Sequence, residues 1–354
     1  MKTITTLFIF CLFLSCSSKS DDGTQTENTS ASFDLTAVKV TNASGDAPVK
    51  GDEITITMTV KNTGSSSGTV AISPKLSSSR FGDYHNVALD AVERTLQAGE
   101  TTQLTLTVGP FFKDAIKEKH YALGSGEYFF EAFELNGADD KEFEGRIFQV
   151  ATSNRVLVPV IYDPTYFSKV NYNGSMKTYL EQAFTRKIEL YNEGNYTEFE
   201  GGLDEMMDIE HIFYTIPTGN VSAYDAEGGL CEKAIALGGD ALGLTKDWEG
   251  PVGTQGNNHG FDYLMAITPD SFGGVACGWI DVQVTGVFDF DLSIDRSQIL
   301  IIHETSHLLG SPHCDQYDVE GYVMCGGEKH RKYIDHGIFV YYQRSRDMMS
   351  NKFD

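Results

Sequence analysis

The first half of the chain alternates apolar and polar residues with a period of two. The alternation is clearest at residues 54–60 and 104–108, where Ile, Leu, Met and Val alternate with Thr. Successive residues of a strand point to opposite faces, so each stretch predicts a half-buried strand. Further strands are predicted at residues 35–40, 128–135 and 146–150. Several short strands within residues 33–152 predict an all-β antiparallel sandwich.

The pattern after residue 152 is that of a mixed α/β domain. A continuous apolar run at 156–162 predicts a buried strand, and apolar residues at helical spacing predict an amphipathic helix over 175–193. The remaining predicted elements are strands at 209–216, 261–268 and 274–284 and helices at 226–237 and 297–309. We therefore expect two domains, residues 33–152 and residues 153–354, and we expect the second to fold without the first.

The first 32 residues carry an export pattern. Residues 1–15 combine an early lysine with an apolar stretch too short to span a bilayer, as in a signal peptide. Ser15 followed by Cys16 resembles a bacterial lipobox, which makes Cys16 the lipidated first residue; an ordinary signal peptide is the alternative. Residues 16–32 are too polar to fold and predict a flexible tether. Because residues 17–22 resemble the export signal of Bacteroidetes surface lipoproteins, we expect a surface-exposed outer-membrane lipoprotein.

The charge of the chain excludes some partners. The formal net charge is -23 and the sequence pI is about 4.7. Nucleic acids and anionic membrane surfaces would be repelled, so we expect neither as a ligand. We expect a monomer whose one membrane contact is the lipid on Cys16.

Four of the six cysteines lie in the second half of the chain: Cys231, Cys277, Cys314 and Cys325. An even number in an exported chain favours disulfides, with three possible connectivities. Cys314 and Cys325 would close a short loop, which leaves Cys231 for Cys277. Free buried thiols are the alternative.

Residues 303–313 read H-E-T-S-H-L-L-G-S-P-H, which fits the pattern H-E-x-x-H-x-x-G-x-x-H. His303 and His307 are four residues apart and share one helix face, and Gly310 can turn the chain so that His313 returns as a third ligand. Three neutral histidines with one open position predict one catalytic Zn²⁺. Glu304 is then the general base that takes a proton from a zinc-activated water attacking a peptide carbonyl.

With this motif, residues 154–354 resemble the metzincin peptidases, closest to the adamalysin/reprolysin-like enzymes. The resemblance implies a mixed twisted sheet with an active-site helix, and a Met-turn at Met324 below the metal. It also implies that Gly274, Val275 and Ala276 belong to an edge strand that pairs with an extended peptide. Residues 53–64 resemble adhesion-type immunoglobulin-like modules, so the first domain is expected to be an immunoglobulin-like sandwich.

The function expected from the sequence is a zinc-dependent endopeptidase that acts on proteins or glycoproteins. A surface adhesin with a vestigial zinc site is the alternative from another class. A peptidase directed at mucin-like glycoproteins is a third reading. Structural Ca²⁺ and an activating cleavage stay open.

Overall fold

The structure is a computed structural model that describes residues 30–81, 86–136, 138–139, 146–192, 195–200, 202–206, 208–215, 229–243, 259–270, 273–278, 281–287, 294–311, 313, 324 and 339–342. The signal peptide and Cys16 therefore lie outside the described residues, as do Cys314 and Cys325. None of the described helices is long and apolar enough to cross a membrane.

The N-terminal half consists of strands in two main sheets and a small ribbon. Its strands are β1 (Phe33–Asn42), β2 (Ile54–Asn62), β3 (Gly68–Ser78), β4 (Val87–Ala88), β5 (Val92–Leu96), β6 (Thr101–Val108), β7 (Phe111–Lys113), β8 (His120–Ala122), β9 (Gly126–Leu135), β10 (Ala138–Asp139) and β11 (Ile147–Val150). One sheet has the order β1-β2-β6, and the other is built around β3 and β9. Strands β7 and β8 pair only with each other among the described residues.

The period-two alternation of the sequence is also the alternation of burial. In β2, residues Ile54, Ile56, Met58 and Val60 are fully buried, whereas the threonines between them are partly exposed. Apolar side chains from both sheets form one core cluster. The two sheets therefore pack face to face and bury the apolar face of each strand.

The C-terminal half contains a five-stranded sheet covered by helices and a smaller three-stranded sheet. Its elements are β12 (Arg155–Tyr162), α1 (Tyr166–Lys169), α2 (Met176–Phe184), β13 (Ile188–Asn192), β14 (Asn195–Glu200), α3 (Leu203–Met206), β15 (Asp208–Thr215), α4 (Leu230–Ala241), β16 (Leu264–Ile267), β17 (Gly274–Cys277), β18 (Val282–Thr285), α5 (Ile294–Leu308) and β19 (Phe339–Tyr342). The five-stranded sheet has the order β15-β12-β16-β18-β17, and the small sheet has the order β14-β13-β19.

The five-stranded sheet is parallel except at one edge. Strand β17 pairs antiparallel with β18, and its outer edge pairs with no strand among the described residues. Val156, Val158 and Val160 of β12 join the core cluster that holds α2 and α5, whereas Leu157 and Ile161 join the cluster that holds α4. Helices therefore cover both faces, which is why the run at 156–162 is apolar throughout.

Two predicted elements differ from the structure. The helix predicted over 175–193 ends at Phe184, where the Thr185 hydroxyl donates a hydrogen bond to the Glu181 carbonyl, and the chain continues as β13. The single strand predicted over 274–284 is the pair β17 and β18, because the chain reverses after Cys277. The reversal is what makes β17 an antiparallel edge strand.

The two halves of the chain share polar and apolar contacts. The backbone N–H of Ala122 donates to the His259 carbonyl at 2.8 Å, and that of His120 donates to the Leu242 carbonyl at 3.0 Å. The ring of Phe111 stacks on that of Phe261 at a centroid distance of 6.3 Å. The ribbon of β7 and β8 thus lies against the segment that leads into β16, a contact that was not expected for two independent domains.

Candidate metal centre

Helix α5 positions the first two histidines and its end positions the third. His303 and His307 lie one turn apart on α5, and Gly310 follows with a φ of 102°, which a glycine adopts without strain. The N–H of Ser311 donates back to the Ser306 carbonyl at 2.9 Å and closes the helix end. The reversed chain then brings His313 back over the helix.

The three imidazoles converge through their Nε2 atoms. Nε2 of His303 lies 3.1 Å from that of His307 and 3.3 Å from that of His313. Two nitrogens bound to one tetrahedral ion at zinc distances lie about 3.3 Å apart. A shared proton joins only one pair of nitrogens at a time, whereas one cation satisfies all three lone pairs. The donor set and its spacing therefore fit a single metal ion.

The hydrogen bond on the far side of His307 sets its tautomer. Nδ1 of His307 lies 2.7 Å from the Ser311 carbonyl oxygen, which only accepts, so Nδ1 donates and Nε2 keeps its lone pair. Burial lowers the pKa of His307 to about 4, the Ser311 carbonyl opposes this shift, and His313 adds to it. His307 is therefore neutral at neutral pH, as a metal ligand must be.

Glu304 follows the first of the three histidines and packs against the edge strand β17. Only 5% of the residue is exposed, and burial raises the pKa of its carboxyl to about 8. A Cβ added at Gly274 would lie 2.6 Å from both Cγ and Oε1 of Glu304. The carboxyl thus lies directly against β17, where only a glycine leaves it room.

The other predicted site residues fall around this centre. Ala276 packs against the core beneath α5, whereas Val275 points to the opposite face of the sheet. Met324 is 1% exposed and belongs to the same core cluster as Leu308 and Leu309, at the end of α5. Cys231 of α4 forms a disulfide with Cys277 at the end of β17. The predicted partner pair Cys314 and Cys325 lies outside the described residues.

Two residues of the site were not singled out from the sequence. Gln283 of β18 and Thr305 of α5 are both fully buried and hydrogen-bonded to each other at 2.9 Å. Two features of the sequence could have pointed to them. Gln283 is a polar residue inside the apolar run of β18, and Thr305 carries a hydroxyl directly after Glu304. Both polar residues face the interior between the sheet and α5.

Comparison with known proteins assigns no relative. No protein-family model matches the chain, and no curated protein matches it. A β-glucosidase from Erythrobacter marinus matches with a TM-score of 0.25 at 16% identity, over 35% of this chain and 16% of that one. A β-D-glucoside glucohydrolase from Trichoderma reesei matches with a TM-score of 0.25 at 11% identity, over 35% of this chain and 19% of that one.

A β-glucosidase from Listeria innocua is similar to the same extent, with a TM-score of 0.24 at 17% identity, over 35% of this chain and 16% of that one. The chain spans less than a fifth of the length of each of these three enzymes. Likenesses of this size carry no argument about fold or activity. The site itself combines three converging histidines with a buried carboxyl that lies against the edge strand β17.

Proposed function

We propose that this chain is a zinc-dependent endopeptidase of the metzincin type. The observation that carries the proposal is the convergence of three imidazole Nε2 atoms beside Glu304 and the outermost strand of the sheet. We further propose an immunoglobulin-like sandwich over residues 33–152 and the peptidase domain over residues 153–354. The order of elements, the H-E-x-x-H-x-x-G-x-x-H motif and the antiparallel edge strand support this reading.

The choice of zinc rests on the chemistry of the donors. His303, His307 and His313 would hold the ion through neutral nitrogens, and no fourth side-chain ligand closes the site among the described residues. Three protein nitrogens with an open position are typical of catalytic rather than structural zinc. When bound, such an ion supplies a Lewis acid that polarises a carbonyl oxygen and lowers the pKa of a water molecule.

The chain itself supplies a proton carrier and a surface for the substrate. The Glu304 carboxyl, whose ionised form a cation held by the three histidines would favour, accepts a proton from the attacking water and returns it to the leaving amine. The outer edge of β17, at Gly274 to Ala276, pairs with no strand in the part of the chain that the structure describes, so its backbone groups could pair with an extended polypeptide. Because Glu304 lies against Gly274, a peptide paired with β17 would pass its scissile bond close to this carboxyl.

The test is metal removal followed by reconstitution. We expect purified protein treated with a zinc chelator to stop cleaving casein, and stoichiometric Zn²⁺ to restore cleavage. Metal content would be measured alongside activity, and cleavage sites would be mapped on casein and on a mucin-like glycoprotein. Cleavage of the glycoprotein alone would favour the glycan-directed reading. Zinc binding without any cleavage would favour the adhesin.

The location stays a proposal that rests on residues 1–29. We expect Cys16→Ala to release the protein from the membrane fraction, because the thiol that carries the lipid is lost. Cys11→Ala, a cysteine change inside the signal peptide, is the matched control and should leave membrane attachment intact. Unchanged membrane retention or acyl labelling of the Cys16 variant would contradict lipid anchoring at this residue.

A further inference from the structure

The turn of α5 that carries Glu304 is bound to β18 by one buried side-chain amide. Nε2 of Gln283 donates to the Ile301 carbonyl at 3.1 Å and to the Thr285 hydroxyl at 2.9 Å. Oε1 of Gln283 accepts from the Thr305 hydroxyl at 2.9 Å. Both ends of the helical turn from Ile301 to Thr305 are therefore tied to the same side chain, with Glu304 inside the turn.

The residues that face this turn come from two neighbouring strands. Gln283 pairs with Ala276 and Thr285 pairs with Gly274 across the antiparallel ladder of β17 and β18. Directly opposed residues of a ladder share one face of the sheet, so all four face α5. Val282 and Val284 point the other way and join the cluster around α4. The amide thus links α5 to the strand pair that would receive the substrate.

The side chain of Glu304 fills the space in front of Gly274. A methyl group at Gly274 would lie 2.6 Å from Cγ and 2.8 Å from Cδ of Glu304. Real Cβ atoms do not approach other atoms this closely, so the carboxyl would have to move. A small shift of α5 away from β17 would carry Glu304 with it and so change the position of its carboxyl relative to a peptide paired with β17.

We propose that Gln283, through Thr305, is a positioning residue that fixes the helix of Glu304 at its distance from the substrate-pairing strand. This inference rests on the proposed function and adds two residues to it. Gln283 touches neither the metal ligands' Nε2 atoms nor the outer edge of β17 in the described contacts. Gln283 therefore acts on the reaction by holding Glu304 in place. Misplacing a catalytic group by about 1 Å can lower the rate by about 100-fold.

The activity test uses Gln283→Met, the isosteric change Thr305→Val, and Thr305→Ser, which removes a methyl group but keeps the hydroxyl. Gln283→Met and Thr305→Val remove the hydrogen bond and should lower kcat on casein by about 10-fold to 100-fold, with zinc content unchanged and KM nearly unchanged. Thr305→Ser keeps the hydroxyl and should retain most of the turnover. The variant that combines Gln283→Met with Thr305→Val should lose little more than Gln283→Met alone, because Gln283→Met already removes the bond to Thr305 together with those to Ile301 and Thr285.

The matched control is Gln298→Met on the same helix. Gln298 is also fully buried, and its amide binds the Tyr179 carbonyl at 3.1 Å and Arg186 at 2.6 Å, toward α2 and away from β17. This change should lower the melting temperature as Gln283→Met does, but leave kcat of the zinc-loaded enzyme at the wild-type value. Equal loss of kcat in both variants, or wild-type kcat in Gln283→Met, would overturn the positioning role.

A second readout does not depend on activity. Gly274→Ala should lower the melting temperature by crowding Glu304, whereas Gly278→Ala, whose Cβ meets nothing within 4 Å, should not. If Gln283 holds α5 against the strand, Gly274→Ala should lower the melting temperature less in the Gln283→Met protein than in the wild-type protein. If the decreases in melting temperature caused by the two changes simply add in the double variant, the inference is overturned. If the wild-type chain cleaves nothing but this coupling is present, the proposed function fails and the link between Gln283 and Glu304 stands.

Discussion

Glu304→Gln is expected to abolish peptidase activity while leaving the metal in place. The amide keeps the size of the side chain against Gly274 but cannot accept a proton from water, so turnover should fall by about 10² to 10⁴. The three histidine ligands are untouched, so zinc content measured by atomic absorption should equal that of the wild-type protein. Glu93→Gln, the same change at an exposed position of β5, should alter neither quantity.

His307→Ala should give the opposite result in the metal assay. The change removes one of the three converging Nε2 atoms, so both zinc and activity should be lost. Because an ion bound only to the folded chain stabilises it, added Zn²⁺ should raise the melting temperature of the wild-type and Glu304→Gln proteins. The His307→Ala protein should show no such shift. Wild-type cleavage of casein by Glu304→Gln would show that the mechanism proposed for this chain is wrong.

The convergence of the three histidines could be predicted because their geometry is local. The spacing of His303 and His307 equals one helical turn, and a glycine at position 310 supplies the reversal that returns His313. All three residues lie within 11 consecutive positions of the sequence. Local backbone geometry therefore decides their convergence, and distant parts of the chain contribute little to it.

Tertiary contacts decided the elements that were predicted incorrectly. Residues 188–192 continue the apolar spacing of α2, yet they pair as β13 with β14 and β19, two strands that the sequence did not predict. The apolar run of 274–284 has no period that distinguishes one strand from two, so the reversal after Cys277 was missed. The approach of Glu304 to Gly274 depends on that reversal, and it could not be deduced from either residue alone.

The contact between the two halves has no signal in the sequence. Lys50 and Asp262 are 212 residues apart, yet Nζ of Lys50 lies 3.3 Å from Oδ2 of Asp262. Asp262 also accepts from the N–H of Leu157 at 2.7 Å, at the start of the five-stranded sheet. The two side chains are 3% and 10% exposed. This buried ion pair links the end of the sandwich to the core of the second half.

Lys50→Met is therefore expected to destabilise the whole chain. Removing one partner leaves the Asp262 carboxylate buried without its cation, a loss that costs about 3–5 kcal/mol in the free energy of unfolding. Lys177→Met removes a lysine from an exposed pair with Glu181, whose side chains are 70% and 57% exposed, and should change stability by less than about 0.5 kcal/mol. Urea unfolding followed by far-ultraviolet circular dichroism would measure both changes.

The pH dependence identifies Asp262 as the cause. Burial raises the pKa of Asp262 and Lys50 lowers it, so removing Lys50 leaves that pKa higher still. A carboxyl whose folded pKa exceeds its unfolded pKa destabilises the fold when ionised; this penalty shrinks as the pH falls below the folded pKa and is gone below the unfolded pKa. The deficit of Lys50→Met should therefore shrink in acid, and adding Asp262→Asn should recover much of it at neutral pH. A Lys50→Met protein that unfolds at the wild-type urea concentration would instead show that the Lys50–Asp262 pair contributes little to stability.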